Sequence, residues 1–527
     1  MITRRALLGA AGAATLPFDA RAADGTLVVA INGSINTLDI HHPGGSLPSY
    51  QVAVNCYDRL ISFGTRTMAD GSVAWDYHKL RPELAESWTV APDGRSITFI
   101  LKPDATFADG SAVTAADVKW SFDRAIKMGG FPTNQMRAGH LENTEQFVVV
   151  DARTIRVDVP VASKLTLPDL AMPVAIVFNS TLAKAHATDS DPWASDWLHR
   201  NTAGSGAFRV ERWEPGTMTV YARNPHWTGG VPPAMSRVII REVANDATRR
   251  AMLERGDVQL DFDITAKDAR DIAQASTATV ISNPIDNSQI TLVTNMNFPP
   301  FQDRRVRQAI AWCLPYEQIF AQAGYGQGIR MFGGAPAVDD ITWPRASPYS
   351  TDIERAKALL AQTDMKDGFD VTLSYDLSTA AWSEPAALLV REGLGRIGIR
   401  CNVEPVAAGG WRTLALVQKK VPLFLDSFGG WLNTPENYFY WTYAKGTFFN
   451  ANYDNPEMTD LVIRTLDMSE VDPAYAPNVR RMISIVFDDV PRIPLWQPSL
   501  NSAVVKGLEG YQYWFYRGVD ARSLTIS

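Results

Sequence analysis

The chain has 527 residues, of which 46% are hydrophobic, 20% charged and 10% aromatic. At roughly 150 residues per domain this makes about three structural units with apolar material for several cores, which excludes a single small fold, a disordered chain and a fibrous repeat. With 50 basic against 57 acidic side chains the net charge is −7 and no stretch is strongly basic, so the electrostatic footprint of a nucleic-acid binder is missing.

At the N-terminus, Arg4 and Arg5 precede an Ala/Gly-rich apolar run to Leu16, and Ala20-Arg21-Ala22 supplies a small-x-small cleavage site. That order reads as an export signal over residues 1–22, of twin-arginine type ahead of a Sec signal. A buried N-terminal helix is the competing reading, but Gly9, Gly12 and Pro17 interrupt it. Removal of Arg4, Arg5, Asp19 and Arg21 leaves a mature chain of net charge −9. No later run reaches the roughly 18 apolar residues of a membrane span, and no cysteine marks the cleavage site for a lipid. The expectation is a soluble periplasmic protein. Cys56, Cys313 and Cys401 are odd in number, far apart and set among apolar neighbours, the pattern of buried free thiols.

Leu27 to Ile31 forms an apolar strand closed by Asn32-Gly33, the opening of an α/β lobe. From about Phe63 to Val177 the chain turns to hairpins. Trp88 to Val90 faces Ile97 to Leu101 across Pro92-Asp93-Gly94, and Phe147 to Val150 faces Ile155 to Val159. Between them Thr114 and Asp117 make a capping box for a helix striped by Val118, Phe122 and Ile126. Strands Phe208 to Trp213, Met218 to Ala222 and Arg237 to Ile240 follow, then a helix near Ala247 to Arg255. After Asp303 a helix places Val306, Ile310 and Leu314 on one face, with Arg304, Arg305 and Arg307 off it. Phe369 to Tyr375, a helix from about Glu384 to Arg396, and Arg400 to Val406 compose a βαβ unit whose two strands should be parallel.

Catalytic signatures do not emerge. The seven histidines include no His-Glu-x-x-His and the cysteines no Cys-x-x-Cys. Gly204-Ser205-Gly206 and Gly324-Tyr325-Gly326-Gln327-Gly328 lack the remaining residues of a nucleophile elbow, a dinucleotide loop or a P-loop, and both read as turns. Asp257, Asp261 and Asp263 lack the Gly and terminal Glu of a calcium loop and mark a strand after a helix.

Several segments in order carry a resemblance: Arg81-Pro82-Glu83-Leu84-Ala85-Glu86-Ser87-Trp88, Pro92-Asp93-Gly94, Phe107-Ala108-Asp109-Gly110, Thr114 to Val118, Gly204 to Phe208, Arg223-Asn224-Pro225-His226-Trp227, Pro300 to Asp303 with Val306 to Ile310, Ile397-Gly398-Ile399 and Ile493-Pro494-Leu495. Together they resemble the large solute-binding proteins of oligopeptide and dipeptide ABC importers, the family 5 extracellular solute-binding proteins, over nearly the whole mature chain. The resemblance implies an α/β fold, a two-lobed clamshell with an additional β-rich inserted domain. Its first lobe would combine residues 23–62, 180–284 and 497–527, its insert 63–179 and its second lobe 285–496. It implies capture of a small solute, a di- or oligopeptide, and delivery to a permease complex in the inner membrane. Neither cofactor nor metal nor enzymatic step is implied, and the receptor would be a monomer.

In peptide receptors of the family a segment Trp-x-x-Asp-x-x-Asp-Pro supplies an aspartate for the ligand's α-ammonium. The matching stretch here runs Phe428 to Tyr438 and has Asn433 where an acidic residue is expected, while Glu436 falls beyond Pro435, where its carboxylate need not point into the cleft. A non-peptide ligand on the same fold, such as an opine or glycoside, is therefore the alternative, with a periplasmic chaperone or hydrolase remote from both. Tyr50, in the loop after the first strand, and Trp411, Trp431, Asn433 and Tyr438 are the candidate ligand-binding residues, because aromatic rings bring area and a donor to a cleft. Packing explains the same aromatics equally well.

Overall fold

A computed structural model describes residues 25–335, 340–429 and 432–527. The proposed export signal and Trp431 lie outside the described residues. Two sheets organise the chain. The first has seven strands in the order Thr279–Pro284, Ser499–Val504, Leu260–Phe262, Thr26–Ile31, Arg237–Glu242, Met218–Arg223 and Phe208–Glu214. Thr26–Ile31 pairs in parallel with both of its neighbours. Its apolar run reflects burial on both faces: Leu27, Val29 and Ile31 enter one core while Val28 and Ala30 enter a second, beneath helices Asp246–Arg255 and Ala266–Ala275.

The second sheet has six strands, in the order Ile329–Arg330, Arg492–Gln497, Gln289–Thr294, Leu423–Phe428, Asp370–Asp376 and Arg400–Val406. Asp370–Asp376 and Arg400–Val406 run parallel and in register, joined by helix Ala380–Gly395, which is the expected βαβ unit. Gln289–Thr294 is buried throughout, with Ile290 and Leu292 facing one core and Val293 another. The chain passes between the sheets at residues 285–288 and again at Pro498. These crossings are bonded to each other, Ile285 N–H donating to Pro498 O and Gln497 Nε2 to Ile285 O, both at 2.8 Å.

The hairpin from Ala85–Val90 to Ser96–Leu101 forms as expected and continues into a four-stranded sheet with Thr154–Asp158 and Phe147–Val149. Helix Ala115–Lys127 begins with the capping box of Thr114 and Asp117 and covers this sheet, Phe122 meeting Phe147 edge-on at 5.2 Å. Strands Ile61–Thr67 and Val73–Pro82 belong elsewhere, in a three-stranded sheet with Gln512–Tyr513 from the end of the chain.

Two expectations need correction. Arg307 is buried rather than displayed off its helix, because its guanidinium donates to Asp489 O at 2.6 Å and Phe301 O at 2.7 Å, ending two chain segments. Cys56 and Cys313 are buried free thiols, but Cys401 is half-buried, since its strand lies at the edge of the six-stranded sheet. Among the described residues no helix is long and apolar enough to cross a membrane.

Candidate functional site

The seam between the two lobes starts from the crossing segment Ile285-Asp286-Asn287-Ser288. Asn287 adopts φ +50°, a left-handed conformation that asparagine tolerates better than most side chains. Its amide Nδ2 donates to Leu432 O at 2.9 Å and Thr434 O at 3.0 Å, fixing the loop before helix Pro435–Tyr443. Gly429 opens that loop at φ +146°. A Cβ there would lie 2.1 Å from Asn287 O, so this close approach of two backbones demands glycine. Pro435 occupies the first helical turn, where its missing N–H costs nothing.

Charged groups meet across this seam. Lys164, which precedes helix Thr166–Leu170, brings Nζ to 2.7 Å from Glu436 Oε1 and lies 4.1 Å above the Tyr475 ring. Tyr475 OH donates to Glu436 Oε2 at 2.9 Å. Burial and then the Glu436 carboxylate push the Tyr475 and Tyr77 hydroxyls above the usual phenol range. Asp286 accepts from Trp75 Nε1 at 2.7 Å and Arg66 at 3.3 Å; burial nevertheless raises its pKa. Farther along, Asp467 receives His140 Nε2 at 2.7 Å and Ser163 Oγ at 2.8 Å. Each of these three carboxylates therefore has a partner.

Several uncharged groups along the crossing have no partner. Asn287 Oδ1, Ser288 Oγ, Gln289 Nε2, Thr434 Oγ1, Tyr513 OH and Trp514 Nε1 are buried and have no hydrogen-bond partner within the protein. Each such group costs about 1–3 kcal/mol of desolvation if left so, and most buried polar atoms in folded proteins are satisfied. They come from the crossing, from the loop of the second lobe and from the C-terminal segment paired with Val73–Pro82. A polar solute with both donors and acceptors could satisfy such a set without covalent chemistry. No group of three or more metal-binding side chains occurs among the described residues. The Asp257, Asp261 and Asp263 stretch is divided: Asp261 is held by Arg249 at 2.9 Å and Asp257 by Arg255 at 2.8 Å.

Of the residues expected at the site, Tyr438 lies fully buried beside it, its hydroxyl donating to Gln289 Oε1 at 3.3 Å and pushed up to about 12 by burial. Asn433 is half-buried in the fixed loop. Trp411 is placed apart, edge-on to Phe424 at 5.9 Å in a core with Val293 and Leu416. Tyr50 lies not in a loop but at the start of helix Tyr50–Cys56, buried with its ring against Phe131 at 6.0 Å. Glu436 is fully buried and points into the seam, because it is the second residue of helix Pro435–Tyr443 and faces Lys164. Sequence reasoning passed over Asn287, Ser288, Gln289, Lys164, Thr434 and Tyr475. One signal was available: the polar run from Asp286 to Gln289 stands before an otherwise apolar strand.

Comparison with known proteins follows the same outline. Residues 79–450, more than two thirds of the chain, match the family described as bacterial extracellular solute-binding proteins, family 5 Middle. The chain is 28% identical over 479 residues to the probable D,D-dipeptide-binding periplasmic protein DdpA of Escherichia coli K12, covering 88% of this chain and 87% of that one. Among solved structures it is similar to AgaA of A. tumefaciens R10 in complex with agropinic acid, with TM-score 0.73, 24% identity and coverage of 95% and 99%. The dipeptide binding protein of Pseudoalteromonas sp. SM9913 in complex with Met-Leu gives TM-score 0.75, 19% identity and coverage of 95% and 100%. Both structures share the two-lobed α/β fold.

Proposed function

The chain belongs to the bacterial extracellular solute-binding proteins of family 5, and from that premise we propose that it is the substrate-binding component of an ABC importer, holding a di- or oligopeptide between its lobes and delivering it to a permease in the inner membrane. In this reading residues 1–22 export it to the periplasm and are removed. Residues 23–62, 180–284 and 497–527 form the first lobe, 63–179 the insert and 285–496 the second lobe, and the receptor acts as a soluble monomer without a catalytic step or cofactor.

The observation that carries the proposal is the set of buried, unpartnered polar atoms on both sides of the crossing. Solute that bonds to both sides stabilises the closed arrangement by its differential affinity, which is all that transport by hinge closure requires of a receptor. DdpA is described as D,D-dipeptide-binding and the Pseudoalteromonas protein holds Met-Leu, which supports the peptide class. A second reading, an opine or glycoside, is favoured by Asn433 in place of an acidic residue, and AgaA holds agropinic acid.

Native mass spectrometry of freshly purified protein, followed by thermal-shift titration, tests the assignment. A solute at a hundred times its Kd should add about 2.7 kcal/mol of stability. Peptides without effect beside opines or glycosides that stabilise would remove the peptide reading, and turnover of a bound solute would make the protein an enzyme.

A further inference from the structure

Lys164 and Glu436 face each other where the two lobes meet. One oxygen of Glu436 takes the Tyr475 hydroxyl at 2.9 Å, the other lies 2.7 Å from Lys164, and the side chain is wholly buried. An ammonium has three donors and no acceptor, yet this one has only the carboxylate and the Tyr475 ring near it, and neither Nζ nor Glu436 Oε1 makes an aligned hydrogen bond. Three other carboxylates near it are occupied, Asp286 by Arg66 and Trp75, Asp467 by His140 and Ser163, and Asp426 by Arg492. Glu436 is thus already paired with a cation of the chain itself, whereas an acceptor oxygen that reaches Lys164 meets an ammonium with donors to spare.

We propose that Glu436 is an ammonium site of the cleft that the chain fills with its own Lys164, and that Lys164, positioned by Glu436 and Tyr475, receives an acyl or carboxylate oxygen of the solute. This rests on the reading that the seam holds a peptide-class solute and narrows it to solutes whose terminal nitrogen is acylated. Lys164 thus supplies internally the charge that a free amino terminus would otherwise bring.

Calorimetric titration of the mature protein with alanyl-alanine and with its N-acetyl derivative tests this. The native protein should bind the acetylated form about tenfold or more tightly, the worth of one charge-assisted hydrogen bond. Lys164→Met should reverse the order, because Glu436 is then open to the free ammonium, and Glu436→Gln should weaken the acetylated form by releasing the lysine. Equal affinities in the native protein, or an unchanged ratio in Lys164→Met, would overturn the proposal. If neither dipeptide binds the native protein, the peptide reading above falls, and the ammonium site is decided without it: n-butylammonium chloride should raise the melting temperature of Lys164→Ala beyond what sodium chloride does, and not that of the native protein. An equal response in both proteins overturns the site.

Discussion

The side-chain amide of Asn287 donates to the carbonyls of both Leu432 and Thr434, at 2.9 and 3.0 Å, so one residue of the interlobe crossing sets the position of the loop that opens helix Pro435–Tyr443. Glycine at position 287 would keep the φ of +50° without strain and remove only those two bonds. Asn287→Gly should therefore lose about 1–3 kcal/mol in urea denaturation and weaken solute binding together. Stability lost with affinity intact would detach the loop from the site.

Gly429 approaches the same crossing from the other side. Its φ of +146° and the 2.1 Å separation between a prospective Cβ and Asn287 O leave alanine no position unless the two backbones part. Gly429→Ala should cost about 3 kcal/mol or more, among the larger effects of a single substitution, or prevent folding. A urea midpoint equal to that of the native protein would contradict the backbone approach.

Burial pushes Asp169 up to about 7, against the hydrogen bond from Gln135 that favours its charged form, and no cation offsets it. The folded pKa thus stands above the unfolded one near 3.9. The sign follows: the contribution of this carboxyl to stability is complete below about pH 4 and is lost as pH rises through about 7, where the unfolded chain has released a proton that the folded chain retains. Asp169→Asn removes the titration. Its stability minus that of the native protein should grow from pH 4 to pH 7 and level off above, as read by denaturation at each pH. A difference that is flat across the window would mean that Asp169 has an ordinary pKa.

Local periodicity made much of the fold legible. The hairpin at Pro92-Asp93-Gly94, the capping box of Thr114 and Asp117, and the parallel strands around helix Ala380–Gly395 are each specified by residues within one turn or one crossover. Pairing of Val73–Pro82 with Gln512–Tyr513 is not, because the partners are over four hundred residues apart and the C-terminal strand has two residues. The site divides in the same way. Trp411 and Tyr438 have the same aromatic signature, yet one packs on Phe424 and the other meets Gln289. Lys164 and Glu436 are invisible as a pair until the lobes bring them together, and an isolated lysine ahead of a five-residue helix reads as surface.

Asp39 follows the first strand, in the loop from which a ligand contact was expected, but Arg124 clamps it by two hydrogen bonds, at 2.9 and 2.6 Å, with both side chains inaccessible to solvent. It therefore serves the fold. Burial alone would raise its pKa; the Arg124 guanidinium reverses this and holds the carboxyl below its usual value. In the native protein its contribution is thus present above the unfolded pKa near 3.9 and is lost as pH falls through the lower folded value. Arg124→Met removes the guanidinium and leaves burial dominant, which inverts the sign: the folded pKa then exceeds the unfolded one, and stability is lost as pH rises through it. At pH 7 the variant should be destabilised by about 3–5 kcal/mol, the cost of breaking a buried pair. The deficit should shrink toward pH 4.5, where the stranded carboxyl can accept a proton, and Asp39→Asn combined with Arg124→Met should recover part of the loss at pH 7. Urea denaturation at the two pH values decides the matter: a deficit independent of pH would show that Arg124 acts through its packing on Phe178, 5.1 Å from the ring centre, rather than through its charge.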